Sequence, residues 1–175
     1  MLKNETSFIS GFEGKYVTFM VKDEYYGLKV EQILLILGIM DITPIPKSPF
    51  FVKGKLQLRG KEIPIVDLRL KFRIPEKEYN EKTSIIILKI MHNEIELWLG
   101  IIIDEIHEVL RIFQSEIDIN PIFGIEHRSE YISGVARIRN KSIILLDAQK
   151  LFNAPELAKI VSILHRSEPC SEMHL

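Results

Sequence analysis

Two stretches of the chain carry the same alternation of apolar and polar positions. In GKLQLRGKEIPIVDLRLKF, Gly54 to Phe72, Leu56 and Leu58 alternate with Gln57 and Arg59, and Ile63, Ile65 and Asp67 resume a two-residue period. That period marks half-buried strands, so the stretch predicts a hairpin followed by a helical turn. Gly60 sits at the reversal, where a residue without Cβ takes φ > 0 at little cost. In GVARIRNKSIILLDAQKLF, Gly134 to Phe152, the pattern recurs 80 residues later. Gly54, Arg59, Lys61, Ile63, Asp67 and Phe72 meet Gly134, Arg139, Lys141, Ile143, Asp147 and Phe152. Gly60 meets Asn140, the other residue type that tolerates a left-handed turn.

An earlier segment repeats as well. YYGLKVEQILLIL around Gly27 corresponds to WLGIIIDEIHEVL around Gly100, 73 residues on, with Glu31 opposite Asp104 and Ile33 opposite Ile106. The shift from 73 to 80 implies seven extra residues in the second copy, placed between Ile112 and Tyr131, where Gly and Pro interrupt the pattern. The chain therefore reads as two versions of one small β unit.

The remaining elements follow from the same patterning. Tyr16 to Val21 and Tyr25 to Val30 predict two strands joined across Lys22, Asp23 and Glu24. Ile33 to Leu37 is an unbroken apolar run, too short to separate a buried strand from a buried helical turn. Pro44, Pro46 and Pro49 impose an extended, irregular passage. Pro64 makes its strand an edge at that point or a bulged one. Residues 73–83, polar and charged, predict the connection between the halves. Ser84 to Ile90 and Ile95 to Ile103 are apolar enough that both faces must be covered, most economically by the other half. Glu105 to Ile112 and Tyr131 to Leu146 complete the second unit, with a short helix at Asp147 to Phe152. Ala154 to His165 places Leu157, Ile160, Val161 and Leu164 at helical spacing, suited to lying against a barrel. Arg166 to Leu175 reads as a frayed end.

The ordered set ITPIPKSPFF, VKGKLQLRGKEIPIVDLRLKF and GIIIDEIHEVL resembles the CheW-like domain of bacterial chemotaxis coupling proteins, over roughly Phe12 to Pro155. The resemblance implies a mainly β fold of two packed SH3-like barrels related by internal duplication. The expected layout is a domain over 12–155, with a first barrel over 12–72, the connection over 73–83 and a second barrel over 84–152. A C-terminal helix and tail would fill 156–175. It also implies a non-enzymatic adapter that joins the cytoplasmic tips of chemoreceptors to the regulatory domain of a CheA-type histidine kinase. Such an adapter would be cytoplasmic, recruited to the inner face of the membrane through receptor arrays, with a flagellar or a pilus-linked output. The family's LRG turn is associated with receptor coupling, which points to Leu58, Arg59 and Gly60. Where the family usually carries Gln-Glu, this chain has Leu34 and Leu35.

Composition narrows the function classes. A chain of 175 residues with 46% hydrophobic positions supports one compact domain or two tightly packed subdomains. With 24 acidic and 23 basic residues the net charge is −1, so no general attraction to nucleic acid or anionic lipid is encoded. Cys170, beside Pro169, is the single cysteine, which leaves no intramolecular disulfide and no cysteine-rich zinc site. MLKNETSFISGFEG holds no apolar targeting core, and the longest apolar runs fall short of the roughly 18 residues of a membrane span. A soluble, intracellular protein without direct membrane insertion is expected.

Candidate chemistry is sparse. Asp67 and Asp147 form a repeat-related carboxylate pair, as in some hydrolytic sites, but each ends a strand and opens a helical turn, which predicts N-capping worth about 1 kcal/mol. Asp104, Glu105, His107 and Glu108 cluster without the HExxH spacing of a zinc site, so an acidic surface with one histidine is the better account. No GxSxG, phosphate loop or dinucleotide fingerprint is present, and neither a catalytic residue nor a cofactor or metal is expected. A nucleic-acid-binding β-barrel would need a basic groove with stacking aromatics. Gly54, Asp67, Gly134, Asn140 and Asp147 are expected to be structural. Arg59, exposed if Leu58 points inward, reads either as a solvated arginine or as an interface anchor, and the family resemblance favours the anchor. Leu34 and Leu35 either enlarge the core or form an apolar partner surface.

Overall fold

The computed structural model describes residues 11–119 and 130–166. Eleven strands are present there: β1 (Gly14–Val21), β2 (Glu24–Lys29), β3 (Ile33–Gly38), β4 (Val52–Leu58), β5 (Lys61–Asp67), β6 (Ser84–His92), β7 (Ile95–Ile103), β8 (Glu105–Ile112), β9 (Ile117–Asp118), β10 (Ile132–Ile138) and β11 (Lys141–Leu146). Two α-helices join them, α1 (Leu68–Lys71) and α2 (Ala154–Arg166). The apolar run at Ile33 is a strand, and the turn after Asp147 is a single 3-10 turn, Ala148–Lys150. The frayed end expected over 166–175, apart from Arg166 itself, lies outside the described residues, as does part of the insertion between Ile112 and Tyr131.

The strands form two sheets, a six-stranded one ordered β8-β1-β2-β11-β10-β9 and a five-stranded one ordered β3-β6-β7-β5-β4. The duplication is visible in the register. Gly27 lies beside Leu145 in the parallel pair of β2 and β11, and Gly100 beside Ile65 in the parallel pair of β7 and β5. These are repeat equivalents at offsets of 73 and 80. Gly27 faces Thr18 and Gly100 faces Ile87, so β1 and β6 are offset by 69 and the β6–β7 hairpin is longer by four residues. β3 and β8 are both edge strands, and each is bulged at the same place, between Ile33 and Leu35 and opposite Val17 and Phe19.

The two sheets are the two subdomains of a mainly β fold. Each sheet takes the first hairpin of one copy and later strands of the other: β1 and β2 join β8 to β11, while β6 and β7 join β3 to β5. The reason is connection length. Only the 3-10 turn Val30–Gln32 separates β2 from β3, and only Asp104 separates β7 from β8. At Asp104 a single residue cannot reverse a strand, since hairpin turns need at least about two, so β7 runs on into β8 in the other sheet, as β2 does into β3 across Val30–Gln32.

Pairing at Pro64 shows how one residue edits the ladder. β5 lies inside its sheet, but its bonding to β7 begins only at Ile65, whereas β11 already meets β2 at Ile143, the equivalent of Ile63. Proline has no amide hydrogen to donate, so β5 is an edge on that side as far as Pro64.

Alternation sorts the core into three parts. Ile63, Ile65, Ile85, Ile87 and Ile102 fill the five-stranded sheet, and Tyr16, Ala136, Ile143 and Leu145 fill the six-stranded one. Their neighbours Phe19, Leu28, Val66, Ile86, Leu88, Ile101 and Leu146 point the other way, into a larger shared core. The sheets cover each other's outer faces, which is why Ile85 to Leu88 are all buried. Leu157, Ile160 and Ile163 of α2 close that shared core, while Val161 is only half-buried. Asn153 starts the helix with a reciprocal cap: Glu156 N–H donates to Asn153 Oδ1 at 2.8 Å, and Asn153 N–H to Glu156 Oε2 at 3.0 Å.

Candidate functional site

The turn between β4 and β5 has two residues, Arg59 at φ 51° and Gly60 at φ 75°, closed by the Leu58–Lys61 pair. Both φ values are positive, the backbone of a type I′ hairpin. Arg139 and Asn140 repeat it at 49° and 63°. Glycine was expected at φ > 0; the arginine before it is there too, held by the twist of the strands against its own preference.

Arg59 is exposed, and no hydrogen bond or ion pair joins it to a described residue. Leu58, Leu34, Leu35 and Leu37 are half-buried and pack with Trp98 against the five-stranded sheet's own core. Lys61 Nζ stands 4.0 Å from the centre of the Trp98 ring, and Trp98 Nε1–H donates to Glu96 Oε1 at 3.0 Å. These groups form an apolar rim with a cation at its lip. The six-stranded sheet builds a matching rim from Ile138, Tyr25 and Leu110, with Lys141 4.8 Å over the Tyr25 ring. Trp98 and Tyr25 were not singled out in the sequence, although WLG and YYG already set them opposite each other.

The two aspartates are engaged in structure. Asp67 Oδ1 accepts the Arg69 N–H at 2.9 Å and Oδ2 the Tyr79 hydroxyl at 2.7 Å, so the connection 73–83 is tied to the strand end. Burial pushes Asp67 above the usual carboxylate range, against the pull of those two hydrogen bonds. Asp147 Oδ1 accepts the Gln149 N–H at 3.0 Å and Gln32 Nε2 at 3.0 Å. Both are the caps that the sequence predicted. Gly54 and Gly134 also share a role: a Cβ on Gly54 would stand 2.1 Å from Thr43 O, and one on Gly134 3.0 Å from Asp118 O.

The acidic cluster is dispersed by its partners. Asp104 takes two bonds from Arg69, at 2.8 and 2.6 Å, and the Lys22 N–H at 2.7 Å, fastening the single-residue crossover to α1. Burial raises its affinity for a proton, but the arginine and the amide outweigh that and hold the carboxyl below its usual range. Glu108 lies 3.3 Å from His107 and 4.0 Å from Arg139. Among the described residues, no group of three histidine, cysteine or carboxylate side chains could hold a metal ion.

Comparison with known proteins agrees with this architecture. The CheW-like domain family matches residues 15–156. The chemotaxis protein CheW of Treponema pallidum is 34% identical over 149 residues, covering 84% of this chain and 86% of that one. That of Klebsiella aerogenes is 30% identical over 149 residues, covering 85% and 87%. The crystal structure of the scaffolding protein TtCheW from Thermoanaerobacter tengcongensis superposes with a TM-score of 0.71 at 30% identity, covering 83% of this chain and 91% of that one.

Proposed function

The chain belongs to the CheW-like domain family of chemotaxis scaffold proteins, and on that premise we propose that it couples chemoreceptor tips to a CheA-type histidine kinase. It does so without catalysis, by holding its partners in register. One observation supports a partner site at the β4–β5 turn: Arg59 is charged, exposed and unengaged beside half-buried leucines, the composition of an interface anchor within an apolar surround. The proposed site comprises Arg59, Leu58, Gly60, Leu34 and Leu35. No helix among the described residues is long and apolar enough to cross a membrane, and we place the protein at the inner face of the membrane through its receptors.

Receptor signals would reach the kinase as shifts in the population of packed states. The test is direct binding of the purified chain to the purified regulatory domain of the kinase and to a receptor cytoplasmic fragment, both from its own organism. Measurable affinity for each is expected; binding to neither would overturn the adapter role. Arg59→Glu should melt within about 0.5 kcal/mol of the unmodified protein yet bind at least about tenfold more weakly, since reversal at a desolvated contact costs about 2 to 5 kcal/mol. Unchanged affinity for both partners would make Arg59 a surface residue only.

A further inference from the structure

The two rims differ at one pair of equivalent positions, and the difference changes their chemistry. Around the six-stranded sheet, Arg139 lies 4.0 Å from Glu108, which also meets His107 at 3.3 Å. The shared bulge and register set Leu34 opposite His107 and Leu35 opposite Glu108, just as the turns set Arg59 opposite Arg139. The five-stranded sheet therefore keeps the arginine and has lost its carboxylate. Among the described residues no ion pair to Arg59 replaces it: Glu96 accepts the Trp98 N–H, and Glu62 is bound to Lys55 at 2.7 Å. Lys61, held over Trp98, adds a second cation to the same lip. A guanidinium stays charged at every physiological pH.

We infer that this rim docks a protein segment that brings its own carboxylate beside an aliphatic side chain. The carboxylate takes the place that Glu108 holds in the other repeat. The aliphatic group covers Leu34 and Leu35, and the arginine's planar fork suits two hydrogen bonds to the incoming oxygens. Leu35 becomes the residue that sets specificity: with an acid there the arginine has an ion partner within its own sheet, as Arg139 has in Glu108, and without one it is offered outward. The inference rests on the proposed partner site at Arg59 and names the chemistry that site takes.

The experiment titrates the purified chain with the kinase regulatory domain and with the receptor fragment, comparing Leu35→Glu with Leu35→Gln. The two substitutions are close in size and polarity and differ in charge. For at least one probe, Leu35→Glu should weaken binding about tenfold more than Leu35→Gln, a difference of about 1.4 kcal/mol. The unmodified protein's affinity for that probe should fall as salt rises, and Arg59→Leu should flatten that dependence. Equal effects of the two Leu35 variants on both probes, or a salt dependence that survives Arg59→Leu, would overturn the inference and leave the adapter role standing. A second readout needs no partner. By NMR titration the carboxylate introduced by Leu35→Glu should have a lower pKa than in the Arg59→Leu background; equal values would show that position 35 does not reach the arginine.

Discussion

Gly60 and Gly54 are both required, for different reasons that mutation separates. Gly60 has φ 75° and open space where a Cβ would stand, so strain there is purely one of backbone. Gly60→Val should cost about 1 to 3 kcal/mol, while Gly60→Asn, copying Asn140 at φ 63°, should cost less than half as much by denaturant unfolding. Gly54, at φ 151°, is limited by room as well as by backbone, because its Cβ would overlap the Thr43 carbonyl. Gly54→Ala should therefore destabilise more than Gly134→Ala, whose nearest atom lies at 3.0 Å. The carboxylates of Asp67, buried, and Asp104, half-buried, give a second separation, by pH. Asp104 has a lowered pKa, so its contribution is present above the unfolded value of about 3.9 and is lost as pH falls through the folded one. Asp67 has a raised pKa, so its effect has the opposite sign: the protonated form is favoured, and stability is lost as pH rises through the folded value. Asp104→Asn should flatten the loss of stability on the acid side of that reference, and Asp67→Asn the loss on its neutral side. Melting temperatures across the range check both, and an unchanged profile for either variant refutes its part.

At the scale of elements, what the sequence could show depended on how far each signal was local. The hairpin β4–β5, its copy β10–β11 and their caps were legible because alternation, turn residues and aspartate all lie within about twenty residues. Helix α2 was legible from spacing, though Ile163 rather than Val161 completes its buried face. The hairpin β1–β2 could not be matched to β6–β7, because only Gly27 and Gly100 mark a pairing whose arms differ in length. The rim's cation–aromatic pairs were missed because each joins residues from different copies, Lys61 with Trp98 and Lys141 with Tyr25. Docking of α2 has its own test. Ile160 is 1% exposed, so Ile160→Ala should cost about 2 to 5 kcal/mol. Asn153→Ala, which removes only the cap, should cost about 0.5 to 2. Similar losses for both would mean that the helix end, and not its packed face, limits stability.

The exchange of hairpins decides how the whole molecule must fold. If each sheet came from one side of residues 73–83, each half could form its own sheet. Here the first half owns β1 and β2 of one sheet and β3, β4 and β5 of the other, and the shared core is lined by both halves. A lone two-stranded hairpin is marginal in water at best, and across Val30–Gln32 β3 passes into the other sheet from β2. Neither sheet is complete until both copies are present, so folding is all-or-none across the chain. Cleavage between Lys77 and Glu78, both exposed in the connection, makes the prediction concrete. Fragments 1–77 and 78–175, expressed separately, should each lack a cooperative thermal transition and near-ultraviolet dichroism. Mixed in equal amounts, they should recover both, with a midpoint that rises with concentration as a bimolecular assembly requires. A cooperative transition in either fragment as an isolated monomer would mean that a copy closes on itself and that the strand exchange is not what holds the molecule together.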